Sequence, residues 1–229
     1  MKYKNILVVG TSHIAPQSIQ EVRDVILQVR PAVVALELDA RRLYGLLHRQ
    51  ESRVSFRDIR RFGVQGFLFS VIGAYVEKKL GERVGVKPGD EMRAAFLAAR
   101  EVGARVALID QNIEVTLQRV SAAFGWREKL HLVKDVIDAF VFRKDEFGFD
   151  LASVPDPRLV GRLIRKFRKR YPQLYRVLVK ERNEFMAKQL HKVRCDFPDE
   201  MVVAVLGAGH ENDVIRLMRR LDSPRRKPF

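Results

Sequence analysis

Two short turns carry residues suited to chemistry. Gly10-Thr11-Ser12-His13 follows an apolar run near the start of the chain, and Gly207-Ala208-Gly209-His210 follows another near its end. Each offers an imidazole just beyond a glycine turn. Glu37 stands between them in sequence, inside the apolar string VVALELD, with Asp39 and Arg42 close behind. Two imidazoles and a carboxylate form a common ligand set for a divalent metal that keeps positions open to water and substrate. An ion so held lowers the pKa of bound water and polarises a carbonyl. The expected metal ligands are therefore His13, Glu37 and His210. The glycines permit tight turns that bring backbone N–H groups near an oxyanion or a phosphate. On that reading Gly10, Thr11, Ser12, Gly207 and Gly209 line the substrate side, with Asp110 at the end of a third apolar run. A lone histidine after a strand is more often a turn or core residue. What makes the metal reading competitive is Glu37, because an ionised glutamate at a strand end is costly to bury without a partner.

Rival chemistries have less support. Ser12 and His13 are adjacent, so their side chains seldom aim at one another, and no Gly-x-Ser-x-Gly elbow is present. Gly207-Ala208-Gly209 precedes a helical pattern as a phosphate-cradling turn would, but the third glycine of a dinucleotide fingerprint is missing. Lys87-Pro88-Gly89-Asp90-Glu91 opens another helical pattern, where acids suit the positive end of the dipole. The functional alternative makes Glu91 a general base. Arg182 lies beside Glu181 on a long helical pattern, where an intrahelical ion pair is the default. Facing a crevice, Arg182 or Arg42 would instead clamp a substrate carboxylate or the developing oxyanion.

The elements that must position these residues follow from hydrophobic patterning. Residues 6–9, 32–38, 105–109 and 201–206 are β-branched, nearly continuous in apolarity and stopped by polar or glycine residues, as buried parallel strands are. Residues 16–30 place Ile19, Val22, Val25, Ile26 and Val29 at spacings of three and four, so one helical face is apolar. A further helix is expected over 213–221. Strand, helix and strand in alternation imply an α/β fold with a mainly parallel sheet flanked by helices. In such sheets the ligand crevice lies outside the carboxyl ends of the strands, where the residues singled out above fall. Residues 112–195 show no convincing strand but helical patterns at 115–124, 126–142, 157–170 and 174–191. They read as a helical insertion between the third and fourth strands of a single domain spanning 1–229, with 145–156 as a loop.

An apolar share of 47% beside 31% charged residues excludes general disorder, and a net charge of +15 demands a reason. Part of that excess lies in Arg158, Arg162, Arg165, Lys166, Arg168, Lys169 and Arg170, arranged around Leu159, Leu163, Ile164 and Phe167 with no acid among them. A solvated helix packed by its apolar stripe is the first explanation. Docking on an anionic membrane surface is the second, at about 1 kcal/mol per basic side chain near the lipid. Nucleic acid is disfavoured, since no aromatic stacking motif accompanies the charge. The stretch from Phe62 through Phe67, Leu68, Phe69 and Tyr75 is too interrupted for a membrane span, yet bulkier than one helix face requires. It is expected to pack against a second copy as a homodimer. A single cysteine, Cys195, and a start that reads as a core strand rather than a secretory leader point to a cytoplasmic protein, with the membrane association peripheral.

With these residues in hand, the chain resembles the TraB/PrgY/GumN family, which includes the Tiki metalloproteases. The resemblance rests on GTSHIAPQSIQEVRDVI, VVALELDARR, KPGDEMRAAFLAAREVGARVALID with the following TLQR, ERNEFMAKQL and VLGAGH, in that order over most of the chain. It implies that the paired Gly-x-x-His turns correspond to His13 and His210, and the acid after the second strand to Glu37. Arg42, Glu91, Asp110, Arg119 and Arg182 fall on other motif positions and are implied to surround the metal or face substrate. Gln111, Asn112 and Asn183 stand where relatives are expected to be more charged. For activity the resemblance implies a metal-dependent peptidase using manganese or cobalt ahead of zinc, acting on a peptide signal as pheromone-shutdown proteins do. Many such members carry C-terminal membrane helices, and none is expected in this chain. The competing expectation is a non-catalytic protein that sequesters a peptide or docks on a membrane surface.

Overall fold

The computed structural model describes residues 1–11, 16–48, 89–123, 125, 128, 131 and 157–223. Runs of valine, isoleucine and leucine relieved only by small residues cannot leave one face wet, and they become the inner strands of a sheet covered on both sides. These are β2 (Ile6–Thr11), β3 (Val33–Leu36), β4 (Arg105–Leu108) and β5 (Val202–Gly207). A short β1 (Lys2–Tyr3) pairs antiparallel with β2 at the edge. The order across the sheet is β1-β2-β5-β3-β4, and the four longer strands are mutually parallel. The chain is thus an α/β protein with a mostly parallel five-stranded sheet and flanking helices, as expected from the patterning. The antiparallel edge was not anticipated, because two residues are too few to show a period.

Helices α1 (Pro16–Val29) and α3 (Asp90–Glu101) cover one face, where Val22, Ile26, Met92, Ala95, Ala98 and Ala99 pack on Val9, Val34, Leu36, Val203 and Val205. Between them α2 (Ala40–Leu47) follows β3. The other face takes α7 (Arg182–Asp196) and α8 (Glu211–Asp222), whose Met186, Ala187, Leu190, Val214, Ile215 and Met218 meet Ile6, Val8, Val202, Ala204 and Leu206. Odd and even residues of β5 therefore serve opposite layers, as the two-residue period of a strand dictates. Every residue of β5 is buried.

From β4 the described chain continues through α4 (Ile113–Ala123), α5 (Pro157–Arg170), the four-residue α6 (Pro172–Tyr175) and a π-helical turn, Arg176–Glu181, that runs directly into α7. The helical pattern expected over 174–191 is therefore not one regular helix. The expected dimer face at 62–75, the loop at 145–156, and both Ser12 and His13 lie outside the described residues.

Register aligns the strand ends. Thr11 is opposite Gly207, Leu36 is opposite both Val205 and Leu108, and Glu37 donates its N–H to Val205 O at 3.1 Å. All four parallel strands consequently deliver their next residues to one edge. β2 keeps Gly10 and Thr11 within the strand, while β3 stops at Leu36, so Glu37 is the first residue beyond the strand and still gives its N–H to β5. A β-carbon at Gly10 would meet the carboxylate of Glu211, in the first turn of α8, which would have to swing aside. At the other end of the crevice, Gly89 turns the chain into α3 with φ +92°, and a β-carbon would meet Leu46 of α2 at 2.7 Å.

Candidate functional site

Glu37 leaves β3 into the sheet's carboxyl edge with its side chain only 3% exposed. Both oxygens are engaged. Oε2 accepts the backbone N–H of Gly207 at 2.7 Å, and Oε1 accepts from Arg182 Nη2 at 2.7 Å. His210 Nε2 lies 3.4 Å from the same Oε1. Glu37 is thus bonded to the Gly207–His210 turn through the backbone, with the imidazole beside it.

Arg182 is held from both sides. Its Nε and Nη2 reach Asp110 Oδ1 at 3.1 Å and Oδ2 at 2.6 Å, the fork geometry that suits a guanidinium and a carboxylate. The intrahelical default fails for Arg182 but holds for Glu181, which pairs with Arg176 of its own helical turn at 3.5 Å and with Arg119 at 2.9 Å. A π-helical turn immediately before Arg182 resets the face that α7 presents, as such turns often do near functional residues. Arg42 completes the row, pairing with Asp110 Oδ2 and placing its Nε 2.9 Å from Asp39 Oδ2. Asp39 caps α2, its Oδ1 accepting the N–H groups of Arg41 at 2.9 Å and Arg42 at 3.0 Å.

Burial alone would raise the pKa of Asp110, but the hydrogen bonds and charge of Arg182, joined by Arg42, outweigh it and hold the carboxyl below its ordinary range. The converse applies to Arg182. Burial would lower its pKa, yet its bonds to Asp110 and then Glu37 raise it further, so the guanidinium stays charged. Glu37, Asp39 and Asp110 supply three negative charges and Arg42 and Arg182 two positive ones. The carboxylates of the row thus outnumber its guanidinium groups by one.

Asn183 adds a partner that reading the sequence left without a role. It is 1% exposed, and its Oδ1 lies 2.5 Å from His210 Nδ1. A signal was present: residues 183, 186, 187 and 190 form the inward stripe of α7, so a polar residue there must find a partner.

The structure therefore brings together Glu37, Arg42, Asp110, Arg182, Gly207 and His210. Glu91 is 1% exposed in the first turn of α3. That helix ends near Arg105, whose N–H bonds Ala32 O at the opposite edge of the sheet, so Glu91 sits toward the carboxyl edge. Arg119 stands apart, half exposed beside Glu181. Gly209 underlies α5, where Ile164 Cδ1 would lie 3.5 Å from an added β-carbon. Among the described residues no three His, Cys, Asp or Glu side chains gather as a metal's ligand set.

Comparison with known proteins decides the lineage. The model of the TraB/PrgY/gumN family matches residues 2–223. The chain belongs to that family. This TraB-family chain is 32% identical over 227 residues to an uncharacterized protein of Methanocaldococcus jannaschii, covering 96% of this chain and 54% of that one. It is 28% identical to the TraB domain-containing protein of Bos taurus and 27% identical to that of Homo sapiens, covering 90% of this chain and 60% of each. The chain spans between half and two thirds of the length of these relatives.

Proposed function

We propose that this TraB-family chain is a metal-dependent hydrolase, a peptidase acting on a peptide signal, with His13, Glu37 and His210 as the ligands of a divalent ion. The observation that carries the reading is the 3.4 Å separation of Glu37 Oε1 and His210 Nε2, contributed by strands remote in sequence. Donors about 2.1 Å from one ion lie roughly 3 to 3.5 Å apart, so this pair fits a shared cation. His13 follows Thr11 by two residues, and Thr11 pairs with Gly207. Manganese or cobalt is favoured over zinc by family resemblance alone.

Bound there, the ion would supply a polarised carbonyl and an activated water. The protein's own groups have separate work. Arg182 and the Gly207 N–H hold Glu37 in one orientation, and Asp110 holds Arg182. Arg42, 31% exposed against 17% for Arg182, is the guanidinium better placed to meet a substrate carboxylate. Glu91, buried toward the same edge, would be the general base, taking the proton that water loses and returning it to the leaving amine. Thr11 and Gly207 are buried and their backbone groups are taken, the Gly207 N–H by Glu37, its C=O by the His210 N–H and the Thr11 C=O by the Ala208 N–H, so of the three expected substrate-side residues only the half-buried Gly209 is left to face a peptide.

The test pairs metal uptake with turnover of a fluorogenic peptide library under Mn, Co and Zn. Wild type is expected to bind one ion and cleave, while His13→Ala, Glu37→Gln and His210→Ala each lose at least tenfold in metal affinity and hundredfold in rate. Equal uptake and equal turnover in wild type and variants would overturn the reading.

One observation favours a second reading, docking on an anionic membrane surface. Arg162, Arg165, Lys166, Arg168, Lys169 and Arg170 of α5 are all exposed, while Phe167 packs against Val120, Leu174 and Val177. Phe167 is thus used inside the protein, and these six cations are left outward.

A further inference from the structure

Asn183 touches two groups whose hydrogen-bonding characters differ. Its Nδ2 lies 3.4 Å from Asp213 Oδ2, and its Oδ1 lies 2.5 Å from His210 Nδ1. A carboxylate at neutral pH only accepts, so the NH2 end of the amide belongs at Asp213 and the carbonyl end at His210. A carbonyl oxygen in turn only accepts. His210 Nδ1 must then carry the hydrogen, and in the neutral ring Nε2 carries the lone pair. That nitrogen is the one 3.4 Å from Glu37 Oε1.

The two tautomers of His210 differ in what they can do. With hydrogen on Nε2, the commoner form of a free histidine side chain, the ring donates to Glu37 and has no lone pair to offer there. With hydrogen on Nδ1, Nε2 becomes a coordinating nitrogen facing the carboxylate. Orientation of a ligating imidazole through its other nitrogen is a general way to set tautomer and ring angle. Asn183 is well placed to impose it, since α7 buries the residue to 1% exposure and the amide cannot be replaced by water without opening the core.

We propose that Asn183 is a positioning residue that holds His210 as its Nδ1–H tautomer, so that Nε2 is the nitrogen presented beside Glu37, and that Asp213 fixes the amide's direction. The assignment rests on the metal-site reading for its purpose, but not for its geometry. The experiment is two-bond proton–nitrogen correlation NMR of the His210 ring in metal-free protein at about pH 8, above the ordinary histidine pKa. It is followed by manganese titration of the same samples. In wild type Nδ1 is expected to show the protonated shift and Nε2 the bare one. Asn183→Leu is expected to relax the ring toward the Nε2–H form and to weaken manganese binding by about 10 to 100-fold. Asn183→Asp combined with Asp213→Asn keeps an acceptor at Nδ1 and a donor–acceptor pair behind it, and is expected to restore the wild-type tautomer. A wild-type ring protonated on Nε2 would overturn the proposal even if Asn183→Leu fails to fold, and so would an unchanged tautomer in a folded Asn183→Leu. The function and this inference fail separately. An Nδ1–H tautomer that responds in both variants as expected, in a protein that binds no manganese and cleaves no peptide, sinks the hydrolase and upholds the positioning role. Manganese binding with an Nε2–H ring does the reverse.

Discussion

At the scale of single residues, the site is organised by opposing costs. Asp110 and Arg182 are each expensive to bury ionised, and each is tolerable because the other is there. Their side chains are 0% and 17% exposed. Arg182→Met should therefore leave Asp110 with only Arg42 and the Gln111 N–H, and take the guanidinium away from Glu37 Oε1, a loss of about 3 to 5 kcal/mol in chemical unfolding. A loss below about 1 kcal/mol would mean that the row relaxes into solvent. The same pairing sets an acid limit. The carboxyl of Asp110 has a folded pKa below its unfolded value of about 3.9, so its stabilising contribution is complete above that pH and fades as pH falls beneath it. Asp222, held at about 2 against burial by Tyr3, Lys4 and Arg194, fades over the same range, roughly from pH 4 to pH 2. Thermal melts of wild type should fall steeply below pH 4, and the slope should shrink in Asp110→Asn.

Elements explain why those residues meet. Parallel strands with matched register release Glu37, Asp110 and His210 at one edge, and helix starts collect there because each helix returns antiparallel to its strand. Gly89 is the sharpest constraint on a helix start, since its φ of +92° costs an ordinary residue about 1 to 2 kcal/mol, and Leu46 occupies the space a β-carbon would need. Gly89→Ala should destabilise the chain by at least that much, and by displacing the first turn of α3 it should disturb Glu91. Leu190→Ala, on the buried stripe of α7, should cost about 2 to 5 kcal/mol by the usual cavity rule, whereas Leu97→Ala, 43% exposed on α3, should stay within about 0.5 kcal/mol. Urea unfolding of the three variants checks all of these. The strands and most helices were readable because their periods are local. The break at Arg176–Glu181 was not, since a π-helical turn changes the hydrogen-bond register without changing residue types.

For the molecule as a whole, charge is the property to test. A net charge of +15 is concentrated partly on α5, whose outward face is wholly basic. Sedimentation with vesicles of phosphatidylcholine and phosphatidylserine should show binding that grows with the anionic fraction. That binding should weaken sharply from 50 to 300 mM salt, and be lost when Arg162, Arg165, Lys166 and Lys169 become glutamine. Binding indifferent to salt and to these substitutions would remove the docking reading. Among the described residues no helix is long and apolar enough to cross a membrane.

Composition and patterning by themselves determined the α/β architecture, the strand positions and the inward face of α1. Those features depend on neighbours within a few residues, and local periodicity records them. Which charged group answers which was decided only by the tertiary structure. Arg182 faces Asp110 and Glu37 instead of its neighbour Glu181, and Asn183 reaches His210 and Asp213 from another helix. A guanidinium or an amide carries the same atoms wherever it stands, and only the crossing of elements remote in sequence selects its partner.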